Sequence, residues 1–214
     1  MDLRGAKVLL TGAAGGIGQQ LAAALAARGG DMVLTGRRTD LLEPLAKKLG
    51  GRAIAADLTD QDAIKELMAA AGEIDVLIAN AALPATGLLT DYSVAEIDRA
   101  LDVNLRAPIV MAKLAAQRMV ARRRGHLVFI SSLSGKTASG QASLYNATKF
   151  GMRGFALALR EFHHARGQHS YGSPRCPRAR ANKRQQSPSV KSFVAQRMIA
   201  LFADGVCTGM QILA

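Results

Sequence analysis

The sequence predicts an α/β protein with a doubly wound parallel sheet and helices on both of its faces. Three observations support this fold class. Short apolar segments with β character alternate with longer segments of helical periodicity between residue 7 and about residue 166. The strand segments are apolar along most of their length, which is typical of parallel strands buried on both faces. The first strand runs directly into a glycine-rich turn and a helix, and the 214 residues fit one large domain.

Each element follows from its residue pattern and its boundary residues. The predicted strands are residues 7–10, 32–35, 52–56, 76–79 and 126–130. The predicted helices are residues 17–28, 39–49, 60–71, 93–124 and 141–166. Asp60 is a favourable N-cap for the third helix, Pro108 is expected to bend the fourth, and Gly125 is expected to end it.

Composition excludes several classes of protein. No apolar run reaches the ~18 residues of a membrane span, and the N-terminus does not resemble a signal peptide, so we predict a cytoplasmic protein without a membrane partner. The two cysteines, Cys176 and Cys207, suggest neither a disulfide framework nor a metal site. The net charge is +12, and residues 162–214 carry eight Lys/Arg and one acid, Asp204. A basic tail can bind nucleic acid, but this one has no periodic basic face, so nucleic-acid binding is the weaker hypothesis.

The glycine-rich turn predicts a dinucleotide site. Thr11-Gly12 begins the turn, and Gly16-Ile17-Gly18 leads into the first helix. Glycines let the backbone approach a pyrophosphate, whose charge the helix N-terminus stabilises. An NAD site has an acidic residue about 20 residues further on, whereas this chain has Arg37 and Arg38 there. Arginine pairs with a 2′-phosphate, which favours NADP(H) over NAD(H), with Arg37 as the predicted phosphate ligand. The alternative is that both arginines are solvated residues at the start of a helix.

A second motif predicts acid–base chemistry. Tyr145 and Lys149 are four residues apart, so they share one helix face, and Ser132 precedes Tyr145 by thirteen residues. An ammonium group beside a phenol favours the phenolate, and a nearby hydroxyl can donate to a reacting oxygen. We therefore expect Lys149 to lower the pKa of Tyr145. A Tyr-x-x-x-Lys pair alone is more often two surface residues than a catalytic site, so the rest of the chain must decide between these two interpretations.

Over residues 5–165 the motifs resemble the short-chain dehydrogenase/reductase family, with its Rossmann-like fold. Residues matching the family's cofactor site are Thr11, Gly12, Gly16, Ile17, Gly18, Asp57, Leu58 and Asn80, together with Tyr145 and Lys149. The catalytic residues that match are Asn104, Ser132, Tyr145 and Lys149. The resemblance implies hydride transfer between nicotinamide and a small carbonyl or alcohol substrate, with Tyr145 as acid and base. It implies a homodimer or homotetramer formed through helices 93–124 and 141–166.

The resemblance also assigns the supporting roles. Lys149 would hold the nicotinamide ribose, Ser132 would steady the substrate oxygen, and Asn104 would order a water that relays protons. Asp57 would contact the adenine. One departure is mild, because Ala79-Asn80-Ala81-Ala82 stands where the family has Asn-Asn-Ala-Gly.

The C-terminal quarter departs from the family pattern. Residues 168–186 contain no β-branched residue and two prolines, so they do not predict the expected strand. We therefore divide the chain into a Rossmann domain (1–166), an irregular basic segment (167–189) and a C-terminal helix with a tail (190–214), and we expect the last strands to be missing or disrupted. An out-of-frame reading after about Gly167 and an authentic divergent tail both remain open. The alternative function is a cofactor-binding protein with impaired catalysis.

Overall fold

The structure is a computed structural model, which describes residues 3–167 and 212–213. Its strands are β1 (Lys7–Thr11), β2 (Asp31–Gly36), β3 (Arg52–Ala55), β4 (Val76–Ala79), β5 (His126–Ile130) and β6 (Ile212–Leu213). Its helices are α1 (Gly16–Ala26), α2 (Thr39–Lys48), α3 (Gln61–Ala71), α4 (Val94–Leu101), α5 (Ala107–Arg122) and α6 (Ser143–Gly167). The predicted α/β fold class is therefore confirmed, and each of the five predicted strands is present.

The sheet has the strand order β3-β2-β1-β4-β5-β6. Strands β1 to β5 are mutually parallel, whereas the two residues of β6 pair antiparallel with Phe129 and Ile130 of β5. The chain moves outward from β1 to β3 and then returns to β4 on the other side of β1. This reversal places the carboxyl ends of β1 and β4 side by side, which is where ligands bind in open α/β sheets. The expected irregular segment and C-terminal helix fall on residues outside those described.

Two hydrophobic clusters cover the two faces of the sheet. Leu9 and Leu77 point to the face covered by α3, α5 and α6, whereas Val8, Leu10 and Ile78 point to the face covered by α1 and α2. Each of these side chains is at most 3% exposed, and burying one leucine or valine contributes about 1.5–3 kcal/mol. The alternation along β1 shows that this strand is buried on both sides, as its apolar sequence predicts.

The predicted helix 93–124 contains an irregularity that the sequence analysis did not place. A π-helical turn, Asp102–Arg106, separates α4 from α5. Pro108 follows this turn and has no N–H to donate to the carbonyl of Asn104, four residues earlier. The wider turn is consistent with the lack of that donor. Turns of π-helix inside α-helices are also frequent at functional sites. Asn104 lies within it.

The end of this helix also differs from the prediction. Arg123, not Gly125, adopts the left-handed conformation that ends α5, with φ of 54°. The side chain of Arg122 donates to the carbonyl oxygen of Ile74 at 2.6 Å and lies 3.5 Å from the Asp75 carboxylate. These bonds attach the end of α5 to the start of β4. Within the described residues, no helix combines the length and apolar composition that membrane crossing requires.

Candidate active site

The carboxyl ends of β1 and β4 are joined by Thr11 and Asn80. The Thr11 hydroxyl oxygen accepts hydrogen bonds from the main-chain N–H groups of Asn80 and Ala81, both at 3.0 Å. The Asn80 amide in turn donates to the carbonyl oxygens of Thr11 at 3.0 Å and Gly12 at 3.2 Å. These four bonds hold the start of the glycine-rich turn, so both residues shape the predicted cofactor loop.

The three predicted glycines of this loop have different surroundings. Gly12 has a φ of +64°, and a Cβ there would lie 2.8 Å from Cα of Ala81. A Cβ on Gly18 would overlap the carbonyl oxygen of Gly12 and lie 2.8 Å from Cα of Ala13. A Cβ on Gly16 would meet nothing within 4 Å, because this residue begins α1 and faces open space. Gly12 and Gly18 therefore close the turn, while Gly16 leaves room for a phosphate at the helix N-terminus.

The end of β2 contributes its two arginines differently. Arg38 donates from Nη2 to the carbonyl oxygen of Ala14 at 2.9 Å, so this guanidinium lies against the glycine-rich turn. Arg37 is exposed and contributes to the lowered pKa of Asp57. The sequence analysis selected Arg37 as the phosphate ligand, but the structure places Arg38 in direct contact with the turn. That contact depends on the tertiary fold, so the sequence alone could not show which of the two adjacent arginines would make it.

The predicted adenine-binding residues lie after β3. The Asp57 carboxylate accepts from the main-chain N–H of Thr59 at 3.0 Å and from its hydroxyl at 2.9 Å. The main-chain bond is the largest cause of the lowered pKa of Asp57. The Leu58 side chain is buried in the core, so a cofactor could meet only its main chain. Ile17, in contrast, is 38% exposed in the first turn of α1.

The predicted catalytic side chains meet beyond the carboxyl end of β5. Ser132 follows this strand, and its hydroxyl lies near enough to the Tyr145 hydroxyl to influence the pKa of that group. Lys149 lies one turn further along α6, with its Nζ 5.6 Å from the centroid of the Tyr145 ring. The ammonium group donates to the main-chain carbonyl of Ile130 at 3.0 Å. The sheet thus brings Ser132 to two side chains that share one helix face.

The expected effect of Lys149 on Tyr145 differs from the electrostatics of this structure. Burial raises the pKa of Tyr145 above its usual value, and the nearby Ser132 hydroxyl, which can donate to a phenolate, opposes that rise. Burial also lowers the pKa of Lys149 to about 8. The ammonium group is directed at the Ile130 carbonyl and lies over the ring rather than against the phenol oxygen. Desolvation, which the sequence analysis did not weigh, therefore dominates both groups.

Asn104 anchors the loop that follows β4. Its side-chain oxygen accepts from the main-chain N–H of Leu83 at 2.6 Å, and its amide nitrogen donates to the Leu83 carbonyl at 2.9 Å. The same nitrogen lies 3.5 Å from the hydroxyl of Thr148, between Tyr145 and Lys149 on α6. Asn104 is 1% exposed. It therefore connects the π-helical turn, the loop after β4 and α6.

Thr148 and Asn146 were not among the predicted site residues. Both are buried polar residues beside Tyr145. Asparagine is a poor former of helix interiors, so Asn146 next to the predicted catalytic tyrosine was the available signal.

These features define a dinucleotide-binding α/β protein with a Ser–Tyr–Lys site at the edge of its sheet. The family model for short chain dehydrogenases matches residues 6–167. The chain therefore belongs to the short-chain dehydrogenase family of oxidoreductases. Its members bind NAD(P) and act on small molecules.

Similar proteins cover the same part of the chain. Nodulation protein G of Rhizobium sp. (strain N33) is 37% identical over 164 residues, which are 74% of this chain and 67% of the relative. Dehydrogenase/reductase SDR family member 7B of Mus musculus is 34% identical over 74% of this chain and 53% of its own length. The chain thus spans about half to two thirds of these curated relatives.

Two solved structures are similar in both fold and sequence. A metagenomic short-chain oxidoreductase in complex with NADP has a TM-score of 0.71 and 35% identity, covering 77% of this chain and 79% of that one. A short-chain dehydrogenase from Sphingobium yanoikuyae in complex with NADPH has a TM-score of 0.70 and 31% identity, covering 73% and 65%.

Proposed function

We propose that this protein is an NADP(H)-dependent oxidoreductase that interconverts a small carbonyl compound and the corresponding secondary alcohol. The observation that carries the proposal is that Ser132, Tyr145 and Lys149 come together beyond the carboxyl end of β5, with the Lys149 Nζ 5.6 Å from the centroid of the Tyr145 ring. This group lies on the same sheet edge as the open face of Gly16. The proposed sites for a dinucleotide phosphate and for proton transfer would therefore lie along one edge of the sheet.

The chain's own residues would manage the proton. Bound NADPH would supply the hydride to the carbonyl carbon. The Tyr145 hydroxyl would give its proton to the carbonyl oxygen, while the Ser132 hydroxyl donates a hydrogen bond to that oxygen. The nearby Lys149 ammonium would stabilise the phenolate left on Tyr145. In the reverse direction the phenolate would take the alcohol proton. Asn104, buried beside Thr148, would order the water that returns protons to Lys149.

The preference for NADP(H) over NAD(H) rests on the end of β2. No carboxylate occupies the position where an NAD site holds the ribose hydroxyl, and Arg37 and Arg38 stand there instead. The Arg38 guanidinium lies against the glycine-rich turn, close to the expected position of a 2′-phosphate. The complexes of two similar proteins with NADP and NADPH agree with this choice. Asp57 would meet the adenine from the end of β3.

A fluorescence titration of the 214-residue protein with NADPH and with NADH tests the coenzyme assignment. The proposal predicts tight NADPH binding and NADH binding at least about tenfold weaker, because a charge-assisted bond to phosphate is lost. Equal affinities would refute the role of the arginines. Failure of soluble protein to bind either coenzyme would refute the proposed function itself.

A catalytically impaired cofactor-binding protein is the second candidate. The observation that favours it is the end of the family match at residue 167, where the sequence pattern also breaks. We propose this position as the boundary of the Rossmann domain, followed by the segments 167–189 and 190–214. NADPH binding without turnover of any carbonyl compound would support this candidate.

The origin of the last segments has its own test. If the chain after about Gly167 is an out-of-frame reading, another frame of the coding DNA will contain a strand pattern followed by Pro-Gly. If neither alternative frame contains that pattern, the result will favour an authentic divergent tail.

We also propose that the protein assembles as a homodimer or homotetramer through α5 and α6. Phe150 on α6 is 42% exposed and Val120 on α5 is 48% exposed, and burial of such side chains between copies would be favourable. Light scattering after size-exclusion chromatography tests this, and a monomer at micromolar concentration would contradict it.

A further inference from the structure

Asn146 links the catalytic helix to the loop between β5 and α6. Its side-chain amide donates to the carbonyl oxygens of Ser134 at 2.7 Å and Thr137 at 2.9 Å. Its side-chain oxygen accepts from the main-chain N–H of Ser139 at 3.1 Å. Asn146 is 6% exposed. Both amide protons and one acceptor position are thus used by three main-chain groups of a single loop, an arrangement that asparagine can make and aspartate cannot.

The bond to Ser134 leads directly to Ser132. The main-chain N–H of Ser134 donates to the Ser132 hydroxyl oxygen at 3.2 Å. The Ser134 carbonyl is at the same time held by Asn146. Because the Ser132 hydroxyl oxygen accepts from the N–H of Ser134, its own proton remains free to be donated to Tyr145 or to a substrate oxygen. The geometry of that hydroxyl therefore depends on how firmly residue 134 is held.

We infer that Asn146 is a positioning residue for the Ser132 hydroxyl, acting through the main chain of Ser134. The inference rests on the proposed function, since it concerns the hydroxyl that would bind the substrate oxygen. It also states more than loop stability. Substitution of a residue that only stabilised the loop would lower activity whether or not residue 132 carried a hydroxyl group.

A double-mutant cycle separates these two roles. Asn146→Asp keeps the size of the side chain but sets an oxygen against the carbonyls of Ser134 and Thr137. With NADPH and 4-nitrobenzaldehyde as the probe substrate, we expect kcat to fall about tenfold or more, as for loss of one oriented donor. The Kd for NADPH should stay within about twofold, because no contact of Asn146 lies in the glycine-rich turn. Ser143→Ala, an exposed residue of the same helix turn, should leave kcat unchanged.

The second half of the cycle is made in a Ser132→Ala background. There we expect Asn146→Asp to lower kcat by no more than about twofold, since the group it positions is already gone. The same tenfold loss in both backgrounds would overturn the inference and leave only a structural role.

A measurement that does not require activity covers a chain that proves unable to turn over. Asn146→Asp should speed amide hydrogen exchange in residues 133–139 by about tenfold, because the bonds that hold this loop are lost. Unchanged exchange would overturn the inference even if kcat fell. Absence of turnover in the wild-type protein would count against the proposed function, whereas unchanged exchange would count against the inference alone.

Discussion

Gly16→Ala and Gly18→Ala should have different effects, although only one residue separates the two glycines. A Cβ at Gly18 overlaps the carbonyl oxygen of Gly12 and lies 2.8 Å from Cα of Ala13. A Cβ at Gly16 meets no protein atom within 4 Å. We therefore predict that Gly18→Ala damages the fold, whereas Gly16→Ala damages only coenzyme binding.

The magnitudes follow from these contacts. Inserting a methyl group into packed structure costs about 1–3 kcal/mol, and the upper end applies to Gly18 because its neighbours are rigid main-chain atoms. A loss of about 3 kcal/mol lowers Tm by roughly 6–12 °C in a chain of this size. Gly16→Ala should leave Tm unchanged or raise it slightly, because alanine is favoured over glycine in helices by up to ~1 kcal/mol. Its methyl group would displace a phosphate, and losing one charge-assisted bond, about 1.5–3 kcal/mol, raises Kd ten- to a hundredfold.

Thermal unfolding and NADPH fluorescence titration of both variants form the assay. The wild-type protein is the reference for Tm and for Kd. Gly16→Ala that binds NADPH as tightly as wild type would refute the assignment of this open face to the phosphates. Gly18→Ala with unchanged Tm would refute the packing argument for the turn.

Three further substitutions test separate parts of the site. Because the pKa of buried Lys149 is lowered to about 8, native protein sheds this proton before the unfolded chain does, and stability rises with pH above 8. Lys149→Met removes that rise, so the free energy of unfolding of the wild type should increase by about 2 kcal/mol relative to that of the variant between pH 7 and 9.5. The same difference between the two proteins in urea denaturation at both pH values would contradict this. Thr11→Val leaves the main-chain N–H groups of Asn80 and Ala81 without their acceptor and should cost about 2–6 kcal/mol in urea denaturation, whereas Thr11→Ser should cost far less. Arg38→Ala should raise the Kd for NADPH at least about tenfold with no change for NADH, and equal losses for both coenzymes would refute a phosphate contact.

The parallel sheet was predictable because its physical causes are local. Apolar runs bounded by glycine and charged residues predicted every parallel strand to within about two residues at either end. The first strand, for example, was predicted to end at residue 10 and ends at Thr11. The features that the sequence did not reveal depend on tertiary contacts. Nothing in the local pattern around Asn104 distinguishes a π-helical turn from an ordinary helix bent by Pro108.

The candidate site shows the same division. The spacing of Tyr145 and Lys149 was sufficient to place both on one helix face, and the fold brings Ser132 to them. The predicted direction of the Tyr145 pKa shift was wrong because the shift depends mainly on burial, which the spacing of residues in the sequence does not reveal. The contact of Arg38 with Ala14 spans 24 residues and was equally invisible before the sheet was assembled.

The central claim is that Tyr145 transfers the proton while NADPH supplies the hydride. The most direct test follows NADPH consumption at 340 nm with a panel of small aldehydes and ketones, for wild-type protein and Tyr145→Phe. The account predicts wild-type turnover, at least about a hundredfold less in the variant, and NADPH Kd values within about twofold of each other. Turnover retained by Tyr145→Phe, or absent from a wild-type protein that binds NADPH, would contradict the account.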